Sequence, residues 1–476
     1  MKVKSSIYLK NIKPLLKELL NELQKKYSYC SVLATDSYSK KYTVSGYGVN
    51  ALESDLFTSR GFVVRIIDDK GYGEYSFNHI DSNSISDIVK EIEEDLIPLK
   101  DILPQEIGFF NREVPQEEKT VFSASTEYEI HPADLGDKEI LKQLTEIREA
   151  GKAVSDKILD CIVNVVYQEI HKIFLSKEKD LEQNILWTTG ALAMAASRGQ
   201  EVKQCYQGYS NLGGAEILSG IEKDVERVAK TTLELLDSEE IIPGEYECVC
   251  SPSVTGMIVH EAFGHGVEMD MFVKDRALAK SFIGEYVASP LVTMHDGAAV
   301  AKESGSYFFD DEGTVSHDTV IIDHGILKQG ISDLLSAQTL GTAPTGNGRR
   351  ESFERKAYTR MTNTYFEGGN DKVEDMIASV KYGFLLEEPS SGMEDPKNWG
   401  IQCMVNIARE IKDGKLTGKI FSPIVLTGYV PDLLKSISMM SENVELEGGG
   451  MCGKGYKEWV KVSDGGPFIK AKIRLG

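Results

Sequence analysis

The sequence predicts an α+β protein of two domains: an N-terminal antiparallel sheet with flanking helices, then a C-terminal β-rich domain that carries one histidine-bearing helix. Three observations support this. A chain of 476 residues is longer than one typical domain, and 41% apolar with 27% charged residues is enough to bury sizeable cores. β-Branched and aromatic residues alternate between Gly and Asp turns after an amphipathic start, the pattern of half-buried strands. The stretch SEEIIPG (238–244) joins turn chemistry to an acidic balance, which sets the domains at 1–237 and 238–476.

Ile12, Leu15, Leu16, Leu19, Leu20 and Leu23 recur at helical spacing and predict a helix over 12–26. Segments 30–48, 55–68 and 71–80 read as an antiparallel meander, followed by a helix over 84–101. Residues 113–135 read as irregular. A helix is expected over 137–157, strands over 159–176 and 183–196, and a helix near 212–237. Beyond the boundary, EYECVCS is a strand and SVTGMIVHEAFGH a helix, with Pro252 and Ser253 suited to its start. After residue 285 short strands and Gly-rich turns dominate, with helices near 371–380 and 430–438.

The formal net charge is −21, and basic residues cluster only at GRRESFERK (348–356). Phosphate neutralisation needs a basic stripe, so duplex binding is not expected. No run reaches the ~18 apolar residues of a membrane span, and the basic N-terminus lacks a signal-peptide core. The expectation is a cytoplasmic protein. Its seven dispersed cysteines argue against a disulfide framework, and Cys248 and Cys250 read as strand residues sharing a face.

The stretch HEAFGHGVEMD (260–270) carries His260, Glu261 and His265. Two histidines four apart on a helix stand roughly 40° apart and can share a metal, whereas five apart they stand roughly 140° apart. Using both therefore requires a π-bulge or an early helix end at Gly264. Glu261 then occupies the position of a general base beside a metal site. A third ligand must come from Glu268, Asp270, His295, His317, His324 or Cys452. Cys452 lies between glycines in LEGGGMCGKGYKEW, and Lys454 nearby would favour its thiolate. A cysteine nucleophile is the competing reading, but it leaves Glu261 idle. Glu268 and Asp270 could also orient a histidine. The loops TGNGRRE and RMTNTYFEGG present Asn347, Arg349, Arg360 and Asn363, which could bind a peptide carboxylate or backbone.

HEAFGHGVEMD, GEYVASPLVTMHDG, DDEGTVSHDTVIIDHGILKQGISD, TGNGRRE, RMTNTYFEGG and MCGKG occur in the order in which the TldD/PmbA metallopeptidases carry them. The chain resembles that family, also labelled "modulator of DNA gyrase". The resemblance is dense in the C-terminal domain. It holds only in pattern over the first 110 residues, where RGFVVRI is similar to the family's N-terminal strand, and 113–210 is divergent. The resemblance implies a TldD-type catalytic subunit: Zn2+ held by His260, His265 and Cys452, Glu261 as general base, and hydrolysis of short or unfolded peptides. It also implies a dimer enclosing a cavity, either a homodimer or a heterodimer with a motif-lacking paralogue. The alternative is a non-catalytic assembly subunit of such a complex. No nucleic-acid or membrane partner is expected.

Overall fold

Ser6 caps the first helix, Ile7–Gln24, its hydroxyl accepting from the Leu9 amide at 3.1 Å. Leu16, Leu19 and Leu23 on its inner face are fully buried, each contributing about 1.5–3 kcal/mol. They pack with Val32, Phe62 and Val64 against an eight-stranded sheet. The computed structural model describes residues 1–53, 58–68, 71–95, 114–455 and 458–476. Residues 55–57 of the strand expected from 55, the end of the helix expected to reach 101, and residue 113 lie outside the described residues.

The strand Tyr29–Ser45 is long enough to take two partners along one edge, Gly48–Glu53 and Ser59–Asp68, with Gly71–Phe77 beyond. Its other edge takes Ile158–Leu175, then Lys179–Arg198 and Glu201–Asn211, all antiparallel. The divergent segment thus supplies the long strands of this sheet. One expectation changes here. Residues 113–135 hold a strand, Thr120–Ser125, parallel to Lys179–Arg198, and a short helix, Pro132–Leu135. Residues 201–211 are a strand whose polar, glycine-containing sequence gives no alternation. Helices Asp137–Ala153 and Leu218–Glu234 cover this sheet through Ile140, Leu144, Ile221 and Val225.

In the C-terminal half, Gly244–Cys250 pairs in parallel with Tyr382–Asp395 and antiparallel with Ile469–Leu475. Gly400–Lys412 and Ile424–Tyr429 complete the ring, so these strands close on themselves. A six-stranded sheet including Met294–Gly297, Asn363–Phe366 and Ser463–Gly466 stands beside it. The histidine-bearing helix shares one core with both: Val254, Ile258 and Phe263 pack with Leu386, Phe366 and Val462. Loop 304–316 docks on the N-terminal sheet. Gln183 donates to the Phe309 carbonyl at 3.0 Å, and Arg65 bridges Glu74 at 2.8 Å and Glu312 at 2.6 Å. All seven cysteines are free and buried. Among the described residues no helix is long and apolar enough to cross a membrane.

Candidate metal centre

Ser251 caps the helix at Pro252–Ile258, one residue before the expected start, and Pro252 takes the first helical position. The chain then widens into a π-helical turn, Val259–Gly264, and tightens into a 3₁₀ turn, His265–Val267, before ending at Glu268. The His265 amide bonds to the His260 carbonyl, an i→i+5 link between the two histidines. That link returns residues five apart to one side of the helix and absorbs the extra spacer residue. Their rings meet edge to face with centroids 5.0 Å apart. Gly264 has ordinary right-handed angles, φ −59° and ψ −53°. Its requirement is therefore spatial: a Cβ there would lie 2.2 Å from the sulfur of fully buried Met361.

Cys452 reaches the pair from the hairpin Met451–Lys454/Glu458–Lys461. Its Sγ lies 3.5 Å from His265 Nε2, and the three donor atoms all fall within 4.8 Å of one another. Donors of a tetrahedral zinc with bonds of about 2.0–2.3 Å stand roughly 3.3–3.6 Å apart, so a small contraction suffices. Two imidazoles and a thiol are a set that suits zinc.

The surroundings prepare these groups. Burial alone would push the Cys452 thiol up, but His265 and His260 outweigh it and hold it well below the usual range. Burial opposes charge on His265, yet Cys452 and Glu268 raise it well above a free imidazole. Glu268 takes the His265 Nδ1 at 3.2 Å, which leaves Nε2 for the site. Burial would raise Glu268, but Lys454 and His265 bring it to about 2. Lys454 acts on Glu268 at 3.0 Å, Asp270 at 2.6 Å and the Thr359 carbonyl at 2.9 Å. The histidines lead the causes that lower the thiol, while Lys454, expected beside it, donates to Glu268, Asp270 and the Thr359 carbonyl. Asp464, which sequence reasoning missed, stands 3.6 Å from His260 Nδ1.

These residues form one end of a cavity of about 1210 Å³ between Tyr206–Gly208 of the N-terminal sheet and the C-terminal strands. Glu261 lines it with His260, His265, Glu268 and Cys452. Gly392 backs Glu261 so closely that a Cβ there would lie 2.3 Å from its Cγ. Nothing in the sequence around Gly392 signals this.

The four loop residues expected to meet substrate are buried or partly buried elsewhere and do not line the cavity. Asn347 donates to Asp296 at 2.7 Å, and Asn363 to the Gly297 carbonyl at 2.8 Å. Arg349 donates to the Met361 and Lys461 carbonyls, each at 2.6 Å. Arg360 donates to the Cys452 carbonyl at 2.6 Å. Buried acceptors left by the loops consume these donors, and Asn347, Arg360 and Asn363 are buried while Arg349 is partly buried at a second cavity. His295 is held between Asp318 and Glu367, each at 2.8 Å, while His317 and His324 are exposed; none of the three lines the cavity.

A family model, the PmbA/TldA metallopeptidase C-terminal domain, matches residues 243–472. The metalloprotease TldD homolog of Buchnera aphidicola subsp. Acyrthosiphon pisum is 36% identical over 249 residues, 52% of this chain and 50% of that protein. The zinc metalloprotease TldD homolog of Saccharolobus solfataricus is 30% identical over 235 residues, 49% of this chain and 52% of that protein. The matches thus span about half the length of these relatives. Among solved structures, a Thermotoga maritima protein titled a modulator of a DNA gyrase superposes with TM-score 0.76 at 18% identity, covering 97% of this chain and all of that one. TldE from Thermococcus kodakarensis superposes with TM-score 0.73 at 18% identity over 96% and 99% of the two chains. At these identities the structures show the fold alone.

Proposed function

The chain belongs to the PmbA/TldD metallopeptidase family, and from that premise we propose that it is a zinc-dependent peptidase that hydrolyses short or unfolded peptides. The observation that carries the reading is the convergence of three soft and borderline donors beside Glu261 on the wall of a peptide-sized cavity. His260, His265 and Cys452 would hold the ion. Zinc there supplies Lewis acidity, lowering the pKa of a water to about 7 and polarising a carbonyl. The chain's own residues do the rest. Glu261 takes the proton of the attacking water and returns it to the leaving amine. Glu268 keeps the His265 tautomer with Nε2 towards the site. Arg360 pins the Cys452 carbonyl, and Arg349 ties neighbouring carbonyls, so both act as braces for the donor hairpin.

The same reading assigns an N-terminal domain to 1–237 and the peptidase domain to 238–476. It makes the protein a cytoplasmic subunit that pairs with a second copy or with a motif-lacking paralogue of the TldE kind. A non-catalytic assembly role is less well supported, because His260, Glu261, His265 and Cys452 are all present and adjacent. The test is metal analysis of the purified protein together with peptide cleavage before and after chelation. Stoichiometric zinc and chelator-sensitive cleavage are expected. Cleavage that survives complete metal removal would overturn the proposal.

A further inference from the structure

We infer that the cavity selects its peptides by positive charge, taking substrates that present an ammonium or guanidinium group to a wall formed by Glu388, Glu447 and Asp464. The inference rests on the peptidase reading and names its substrate class.

Glu447 and Asp464 stand directly opposite each other across the antiparallel strands Glu445–Glu447 and Ser463–Gly466. Like charges in that position destabilise a sheet. Among the described residues neither they nor Glu388 meets a lysine or arginine within ion-pair distance; Asp464 has only His260, at 3.6 Å. The lysines that line the cavity are committed elsewhere, Lys454 to Glu268 and Asp270, and Lys274 to Asp270 at 3.2 Å. Arg276 is the remaining cation of the lining, and it is exposed.

A second observation is independent of that wall. Glu394 also lines the cavity, and both of its carboxyl oxygens are buried with no hydrogen-bond partner. They sit against Gly266, where a Cβ would be 2.7 Å from Oε1. A buried carboxyl without a partner is costly, and a bound water, ion or ligand group is one of the few ways a native protein relieves it. Among the described residues, the carboxylates that line the cavity outnumber its uncommitted cations. Glu388 is held at φ 59°, in the left-handed region unusual for a side chain of its size. A ligand cation supplies what the protein withholds.

The experiment uses the full-length, zinc-loaded Glu261→Gln chain, so that peptides bind without turnover, and reads fluorescence anisotropy. Four labelled peptides of equal length share an alanine backbone: acetylated and neutral, with a free N-terminus, acetylated with one lysine, and acetylated with one glutamate. A single cation is expected to tighten binding about tenfold over the neutral peptide. That preference should shrink in about 0.5 M salt and in a chain that adds Glu388→Gln and Glu447→Gln. Gain from the free N-terminus alone assigns the charge to the chain start, gain from lysine alone assigns it to a side chain, and either supports the inference. Equal binding of neutral and cationic peptides, or a preference untouched by both salt and the double substitution, overturns it. Failure of the parent chain to cleave any of the four, and of the variant to bind any, would instead remove the peptidase reading beneath it.

Discussion

Gly264→Ala tests whether the π turn is what joins the two histidines. The added Cβ would lie 2.2 Å from Met361 Sδ and 3.3 Å from the Val259 carbonyl. Met361 is fully buried, and its own carbonyl is held by Arg349 at 2.6 Å, so neither side chain nor backbone can retreat without disturbing the core. Overpacking of this kind costs about 1–3 kcal/mol. Relief that the Met361 thioether does not supply must come from shifting the helix between His260 and His265, so part of that cost should fall on metal affinity. The total bounds the loss at about 5- to 150-fold. The assay is competitive zinc titration alongside urea unfolding. Gly220→Ala serves as the control, since Gly220 is interior to the Leu218–Glu234 helix with open space at its Cβ. That change should stabilise by about 1 kcal/mol without touching zinc. If Gly264→Ala bound zinc and unfolded like the parent chain, the spatial account of Gly264 would be refuted.

Further outcomes follow from the same geometry. Glu261→Gln should keep zinc and lower cleavage about 10²- to 10⁴-fold; full activity would remove Glu261 from the chemistry. Gly392→Ala, whose Cβ would press on Glu261 Cγ at 2.3 Å, should lower kcat with zinc content unchanged. Glu268→Ala frees the His265 ring and should weaken zinc about 10- to 100-fold, read by the same titration. Glu74 is buried against Arg65 and Arg350, whose charges outweigh burial and hold its carboxyl well below the usual range. A depressed carboxyl contributes stability that is present above its unfolded value of about 4.3 and lost as pH falls through the folded one. Urea unfolding should therefore show the parent chain weakening below about pH 4, and Glu74→Gln should destabilise at neutral pH by less than the about 3–5 kcal/mol of a fully broken buried pair, because Arg65 keeps Glu312 while Arg350 loses its carboxylate.

Local pattern was sufficient for much of this protein. Helices with a clear apolar stripe, such as Ile7–Gln24 and Asp137–Ala153, and strands with β-branched alternation, such as Ser59–Asp68 and Ile158–Leu175, declare themselves because each buries one face. The His260–His265 spacing likewise forces a helix irregularity, since a regular helix cannot turn residues five apart to one side. Whether that irregularity would be a π turn or an early end was open. The structure has the π turn, with Met361 packed against Gly264 inside it.

What required tertiary structure depends on contacts far apart in the chain. Cys452 meets His265 across 187 positions, and Gly244–Cys250 finds its partners at 382–395 and 469–475, which no local period encodes. Asp464 and Gly392 carry no local signal, because their importance comes only from standing against His260 and Glu261. Asn347, Arg349, Arg360 and Asn363 mislead for the converse reason. Polar side chains in glycine-rich loops look available for a ligand, but buried carbonyls and Asp296 must be hydrogen-bonded, and these side chains satisfy them.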